Sequence, residues 1–341
     1  MERIPGQDRA KRFLKRLALK GDIPHAFLFS GMAGIGKGAA ALEFAKALNC
    51  LAPLGGDCCD GCAACLKIAG GNHPDVVTVQ SDGVFIKIDQ VRELRERLRF
   101  RPFEGKRRVV IIQDAQKLKE EAGNALLKVL EEPPGQNVFV LLVLEPQMLL
   151  PTVVSRCCHV RFQPLDQGIV SDYLESAMGL DSGRAGEVAR LSGGSLERAR
   201  QLGEEGRAAN WKRIVENLER LDNLPVFELF SLTAQWARTR EELEEDLECI
   251  KLWVRDIILF RLAGDYPLVF GLGEKTREAA RSIPAESLFV LYNEIEQAMS
   301  SLRLNANLQL TIERVCLAVK DCLYGNGSWD SLSKRRQSIS L

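Results

Sequence analysis

Two groups of residues in this 341-residue sequence have the spacing of chemical sites. Cys50, Cys59, Cys62 and Cys65 follow one another as C-x8-C-x2-C-x2-C, with Gly55, Gly56 and Gly61 letting the chain between them wrap. Four thiolates in such an arrangement make a closed tetrahedral Zn²⁺ site with no open position for a substrate, hence a structural one. Cys58 stands beside the set and could replace Cys59 in it. Cys157, Cys158, Cys249, Cys316 and Cys322 lie in apolar or scattered contexts and read as core thiols.

The second group is "GMAGIGKG", Gly31 to Gly38, preceded by the strand-like "AFLFS" and followed by the alanine-rich stretch Ala39–Ala47. In that setting Gly31, Gly34 and Gly36 let backbone N–H groups point at phosphates. Lys37 can reach the β and γ phosphates, and the helix N-terminus favours anions. Hydrolysis needs more. Mg²⁺ is normally held by a loop Ser/Thr and by an acid at the end of a later strand. Position 38 is glycine; the acid remains as Asp114, at the end of "RRVVIIQD". Where a water-activating glutamate is expected the chain has Ala115, and a polar sensor expected near the end of the next strand is Val143-Leu144. Loss of a general base alone costs roughly 10²- to 10⁴-fold in rate. A degenerate nucleotide site, in which ATP and Mg²⁺ are not expected to operate as cofactors, is the reading these losses support.

The elements around these groups predict a three-layer α/β domain. Ala26–Phe29, Val76–Val79, Val109–Ile112 and Val138–Leu144 are short, almost wholly apolar runs separated by helical patterns, as in a parallel sheet buried on both faces. The domain is expected to span 1–163, with the cysteine insertion at 50–65. A small helical lid follows over 164–207. Residues 208–325 form an all-helical domain in which Trp211, Ile214, Val215, Leu218 and Leu221 make one apolar face. "LECIKLWVRDIILFRL" is apolar around more of its circumference and predicts a buried or interface helix, and 326–341 reads as a disordered tail.

Lys plus Arg and Asp plus Glu are 46 each, so no overall field draws the molecule to nucleic acid or membrane, and any such binding must be local. A helix beginning near Asp89 carries Arg92, Arg95 and Arg99 on one side and Val91, Leu94 and Leu98 on another. The arginines could track DNA phosphates, or, with Glu93 and Glu96, form a solvated face with internal ion pairs. The longest apolar run, Val138–Leu144, is too short for a bilayer and the N-terminus lacks an apolar leader, so a cytoplasmic protein with reduced thiols is expected.

The stretches "HAFLFSG", "GNHPD", "IKIDQVREL", "NALLKVLEEPP", "LPTVVSRC" and "NANLQLTIE", in this order and with the cysteine spacing, resemble the AAA+ clamp-loader subunits of bacterial DNA polymerase III over nearly the whole chain. Gly38, Ala115 and Val143-Leu144 depart from the pattern of the motor subunits, gamma/tau. So does Glu197, aligned within one residue of the motors' lid arginine. The resemblance implies a non-hydrolysing stator whose C-terminal helices join an oligomeric collar. Its partners would be gamma/tau and delta, with the sliding clamp and primed DNA reached through the complex. It also implies that Arg156, in the SRC motif, is an arginine finger acting in trans on a neighbour's ATP. An autonomous ATPase using Lys37 and Asp114 is the alternative; in a small-molecule P-loop kinase the cysteines, SRC and helical C-terminus have no purpose.

Overall fold

The computed structural model describes residues 1, 4–131, 135–204, 207–234, 236, 239–264, 268–270, 272–303 and 305–325. The tail at 326–341 lies outside them. Contacts divide the chain into two compact units, Met1–Gln201 and Leu202–Leu341.

The first unit is built on β1 (Ala26–Ser30), β2 (Val76–Val79), β3 (Arg108–Ile112), β4 (Asn137–Val143) and β5 (Cys158–Arg161). All pairs are parallel, in the order β2-β3-β4-β1-β5. Successive residues of a strand point to opposite faces. Phe27 and Phe29 therefore join one cluster with Leu14 of α1 (Asp8–Lys20), Phe44 of α2 (Lys37–Asn49) and Ile68 of α3 (Ala63–Ala69). Ala26 and Leu28 join the other, with Val91, Leu94 and Leu98 of α4 (Ile88–Leu98) and Leu126, Val129 and Leu130 of α5 (Glu120–Glu131). Helices on both faces leave no solvent side to the inner strands, which is why those strands read as continuous apolar runs. The sequence pattern predicts the first four strands and misses β5. It follows the short α6 (Pro151–Val154), sits at the sheet edge and buries only Val160 of its four residues, so it has neither an apolar run nor a clear alternation.

Helices α7 (Gln167–Met178), α8 (Ser182–Leu191) and α9 (Leu196–Gly203) follow the sheet. The backbone N–H of Leu196 donates to the carbonyl of Gly34 at 2.9 Å, so the start of α9 is fixed to the glycine loop.

The second unit is helical among its described residues: α10 (Arg207–Glu219), α11 (Val226–Thr233), α12 (Arg240–Ala263), α13 (Glu274–Ser282), α14 (Ala285–Arg303) and α15 (Leu308–Tyr324). Trp211, Ile214, Val215 and Leu218 of α10 are buried as their spacing predicts, and Leu221 lies just beyond in a 3-10 turn. α12 opens with a capping box in which Thr239 and Glu242 exchange hydrogen bonds of 3.0 and 3.2 Å. It buries residues all round from Leu243 to Ile258.

One buried ion pair braces the first unit between α4 and β3. Asp75 is fully buried and accepts N–H bonds from Phe103, Glu104 and Gly105 at 2.8–2.9 Å, with Arg108 Nη2 at 3.2 Å. Arg108 also donates to the carbonyls of Arg97, Phe100 and Arg101. Burial by itself would raise the Asp75 carboxyl, but these donors outweigh it and hold it below the usual carboxylate range. A depressed carboxylate contributes stability that is present above its unfolded pKa of about 3.9 and is lost as pH falls through the folded value. Asp75→Asn should therefore weaken the unit at neutral pH, by about 3–5 kcal/mol for a broken buried pair, and flatten its loss of stability in acid. Hydrogen exchange at 103–105, followed from pH 7 to pH 3, should be faster in the variant at neutral pH and converge with the parent in acid. Equal protection at pH 7 would refute the brace.

Candidate nucleotide loop, metal centre and arginine site

The loop between β1 and α2 has the backbone of a phosphate cradle. Gly34 has φ 73° and Gly36 φ 97°, both in the left-handed region where a side chain is strained. At Gly34 a Cβ would also collide with Ser195 Oγ and lie 2.6 Å from Glu197 Cβ. Gly31 donates its N–H to the carbonyls of Val143 and Leu144 at the end of β4.

The chemistry inside the cradle differs from its outline. The Lys37 ammonium donates to the carbonyls of Gly31 and, at 2.6 Å, Met32, so it folds back on its own loop. Burial lowers it to about 8, against the raising influence of the Asp114 and Glu197 charges. Asp114, at φ 48°, is exposed and paired with Lys117 at 3.0 Å. Ala115 beside it is fully buried, leaving no group there to activate water. Glu197, not Arg198, lines the loop cavity: Arg198 Nη1 reaches the Ser192 carbonyl at 3.5 Å. The cavity, about 250 Å³, is bounded by Gly34, Gly36, Lys37, Asp114, Val143, Leu144 and Glu197, and falls below the roughly 300–1,000 Å³ of small-molecule sites. As built, these residues do not fit a nucleotide triphosphate with Mg²⁺. Gly38 is different from the other glycines, since a Cβ there meets only Leu142, at 3.9 Å. Packing does not require its missing hydroxyl.

At the far end of α2 the cysteines meet. The sulfurs of Cys50, Cys59, Cys62 and Cys65 all lie within 4.8 Å of one another, with Cys50 and Cys62 at 4.0 Å. Tetrahedral bonds of about 2.3 Å to one ion put sulfurs roughly 3.8 Å apart, so the set can hold a metal ion. The Cys59 and Cys62 N–H groups donate to the sulfurs of Cys50 and Cys59, the support such ligands need. Cys58 points elsewhere, its sulfur 3.5 Å from both Glu43 Oε2 and Asp60 Oδ1. Burial and the Glu43 charge push its thiol up to about 12.

Arg156 is exposed between α6 and β5. Its guanidinium donates to the Thr152 carbonyl at 3.0 Å and to Glu131 Oε1 at 2.7 Å. The register pairs Phe27 with Cys158, so β5, which Arg156 precedes, starts near the beginning of β1 while the glycine loop leaves the other end. At about 3.3 Å per residue the start of β5 is roughly 13 Å before Gly31 along the strand, beyond the reach of one side chain. On α4 two of the three candidate arginines are paired, Arg92 with Asp89 and Arg99 with Glu96, and Arg97 pairs with Glu93. Arg95 stands outside those pairs.

Sequence reasoning missed Glu131 and the buried charges beside the cysteines. Lys46 bridges Glu43 at 2.6 Å and Asp60 at 3.0 Å, and Lys15 reaches Asp57 at 2.7 Å. The available signal was two charged residues, Glu43 and Lys46, three apart inside an otherwise apolar helix.

Residues 6–166 match the family model described as DNA polymerase III, delta subunit. The chain is 29% identical to subunit delta' of DNA polymerase III from Bacillus subtilis, over 92% of this chain and 96% of that protein. It is 37% identical to subunit delta' from Pseudomonas aeruginosa over 58% of this chain and 61% of that one. To subunit tau from B. subtilis it is 26% identical over 99% of this chain and 65% of tau. Among solved structures, a DNA polymerase III gamma-subunit-related protein from Thermotoga maritima aligns at TM-score 0.48 and 19% identity, over 91% and 98% of the two chains. The relatives this chain resembles are thus delta' and tau subunits of DNA polymerase III. Its similarity to B. subtilis delta' runs over nearly the whole length of both chains.

Two outcomes follow from this geometry. Cys59→Ser should lower bound metal, measured by mass spectrometry after desalting, whereas Cys58→Ser should leave it unchanged; the reverse would exchange the two. Separately, Glu197→Gln should tighten binding of a fluorescent ATP analogue to the isolated chain. A unit charge about 8 Å away at an effective dielectric of about 20 is worth roughly 2 kcal/mol, or about thirtyfold in Kd. An unchanged titration would mean that the lid carboxylate is not what disfavours phosphate.

Proposed function

We propose that this clamp-loader subunit is a stator: it performs no hydrolysis of its own and presents Arg156 to ATP bound by a neighbouring gamma/tau-type motor. The assembly it serves opens a sliding clamp and places it on primed DNA. The observation that carries the reading is the position of Arg156 at the opposite end of the β1–β5 pair from a loop whose lysine is spent on its own carbonyls. An arginine there serves a nucleotide only if another chain brings it. Its guanidinium would stabilise charge on the transferring phosphoryl group, an effect of roughly 10³- to 10⁵-fold in other systems.

The division of labour follows. Residues 1–163 form the AAA+ domain, 164–207 its lid and 208–325 the part of the chain that joins a collar with the gamma/tau and delta subunits. Zn²⁺ is the metal that four thiolates at this spacing favour, and its role is structural. DNA is met through the complex, with Arg95 the most available of the α4 arginines. Replication at the nucleoid makes the protein cytoplasmic.

The purified chain should show negligible ATPase with or without primed DNA. In the reconstituted complex, Arg156→Ala should cut turnover at the one site it serves by roughly 10³-fold or more and lower total ATPase by at least that site's share. Steady-state phosphate release measures both. Normal turnover with the variant would sink the finger assignment, and DNA-stimulated hydrolysis by the isolated chain, abolished by Lys37→Ala, would favour an autonomous motor.

A further inference from the structure

Glu131 is the last residue of α5, twenty-five positions before Arg156, yet its Oε1 accepts from Arg156 Nη2 at 2.7 Å. On the other side of the guanidinium, Nη1 donates to the Thr152 carbonyl at 3.0 Å and lies 3.5 Å from Ser155 Oγ. Ser155 Oγ in turn donates to the same Thr152 carbonyl at 3.1 Å. The arginine is thus held from two helices, by the C-terminus of α5 and by α6 with its C-cap Ser155.

Resting on the finger reading above, we propose that Glu131 is a positioning residue for Arg156 and sets the orientation in which the guanidinium meets a neighbour's phosphate. A guanidinium carries five donors in a planar fork. Glu131 and Thr152 take part of that fork, and the remaining N–H groups, Nε–H among them, stay available for a phosphate oxygen. A free arginine must give up rotamer freedom when it engages its target; one already held at two points has given up most of it. The carboxylate also offsets the arginine's charge while the site is unengaged, which weakens capture of loose anions from solution. Thr152 alone can fix one nitrogen but not the plane of the group. Glu131, on a different helix, fixes the plane.

The pair is solvated, with 37% of the arginine side chain and 49% of the glutamate exposed. Exposed ion pairs of this kind add little to folding stability. Removing Glu131 should therefore change the chemistry of the complex without changing the stability of the subunit, which separates positioning from scaffolding.

The test is steady-state ATPase of the complex reconstituted with motor subunits, clamp and primed DNA, using Glu131→Ala, Glu131→Gln, Arg156→Ala and the double variant. Glu131→Ala is expected to lower turnover at the one site Arg156 serves about three- to tenfold with KM for ATP unchanged, part of the roughly 10²-fold that misplacement of a reacting group can cost. Glu131→Gln keeps an acceptor oxygen in place and should recover most of the rate. The double variant should be no slower than Arg156→Ala alone, since residues acting through one group are not additive. Thermal unfolding of the isolated subunit should be the same for all. If Arg156→Ala slows the complex while Glu131→Ala does not, the positioning role is overturned and the finger stands. If Arg156→Ala has no effect, the finger reading fails and takes the positioning role with it.

Discussion

The arrangement depends on one pairing, that of β1 with β4 on one side and β5 on the other, both parallel. A parallel strand carries its incoming and outgoing connections at opposite ends. The glycine loop leaves the C-terminal end of β1, and Arg156 enters at the N-terminal end of β5. All five residues of β1 are buried, and Phe27 packs edge-on against Phe44 at 5.2 Å, so the strand cannot slide without opening the core. Ligands of open α/β sheets bind beyond the C-terminal ends of the strands, at the point where strand order reverses. The loop sits at such a point. Arg156 sits at the other end, so the proposed finger would have to act on a nucleotide held by another chain.

The loop has the parts that packing demands and lacks the parts that only hydrolysis demands. Gly34 cannot be replaced while Ser195 and Glu197 lie against it, and Gly31 is tied to the end of β4. Position 38, by contrast, has room for a side chain, and Asp114 is exposed. Ala115 is the informative case: it is fully buried among the apolar residues of β3, β4 and α5, where an unpaired carboxylate would be costly. The surroundings of that position have adapted to an apolar group. The lid presents a negative group, with Glu197 lining the cavity and its charge acting on Lys37.

Much of this was legible in the residues because it rests on local pattern. Four apolar runs, a glycine loop and a cysteine spacing each carry their signal within about ten residues, and strands, loop and sulfur cluster stand where those signals lie. β5 was not legible, because an edge strand with one buried residue has neither an apolar run nor a period. Nor were the charge pairs that join distant segments. Asp75 and Arg108 are thirty-three residues apart and Glu131 and Arg156 twenty-five, and nothing in a linear sequence says which carboxylate a buried arginine will meet. The choice between Cys58 and Cys59 was undecidable by spacing; backbone direction decides it, turning one sulfur toward Cys50 and the other toward Glu43.

The cysteine cluster and the glycine loop share one helix. α2 begins at Lys37 and ends at Asn49, followed at once by Cys50, so its two ends, about 20 Å apart, are the glycine loop and the first of the four clustered cysteines. The segment after it is poor in core residues, with Leu51 and Leu54 largely exposed. Such a segment buries too little apolar surface to fold unaided, and metal binding can supply the missing folding free energy. Beside it, Glu43, Lys46, Asp57 and Asp60 form an ion-paired cluster that replaces apolar packing at the base of α2. Ion pairs are directional where apolar contacts are not. They hold the C-terminal end of α2 in one place, as a metal on the four cysteines would, while α9 and β4 hold its N-terminal loop. A helix fixed at both ends is a strut under β1, and β1 carries β5 and Arg156 on its other edge. For a chain whose proposed task is to hold an arginine still while a neighbour turns over, the glycine loop has a structural use that does not depend on hydrolysis: it is one end of the strut.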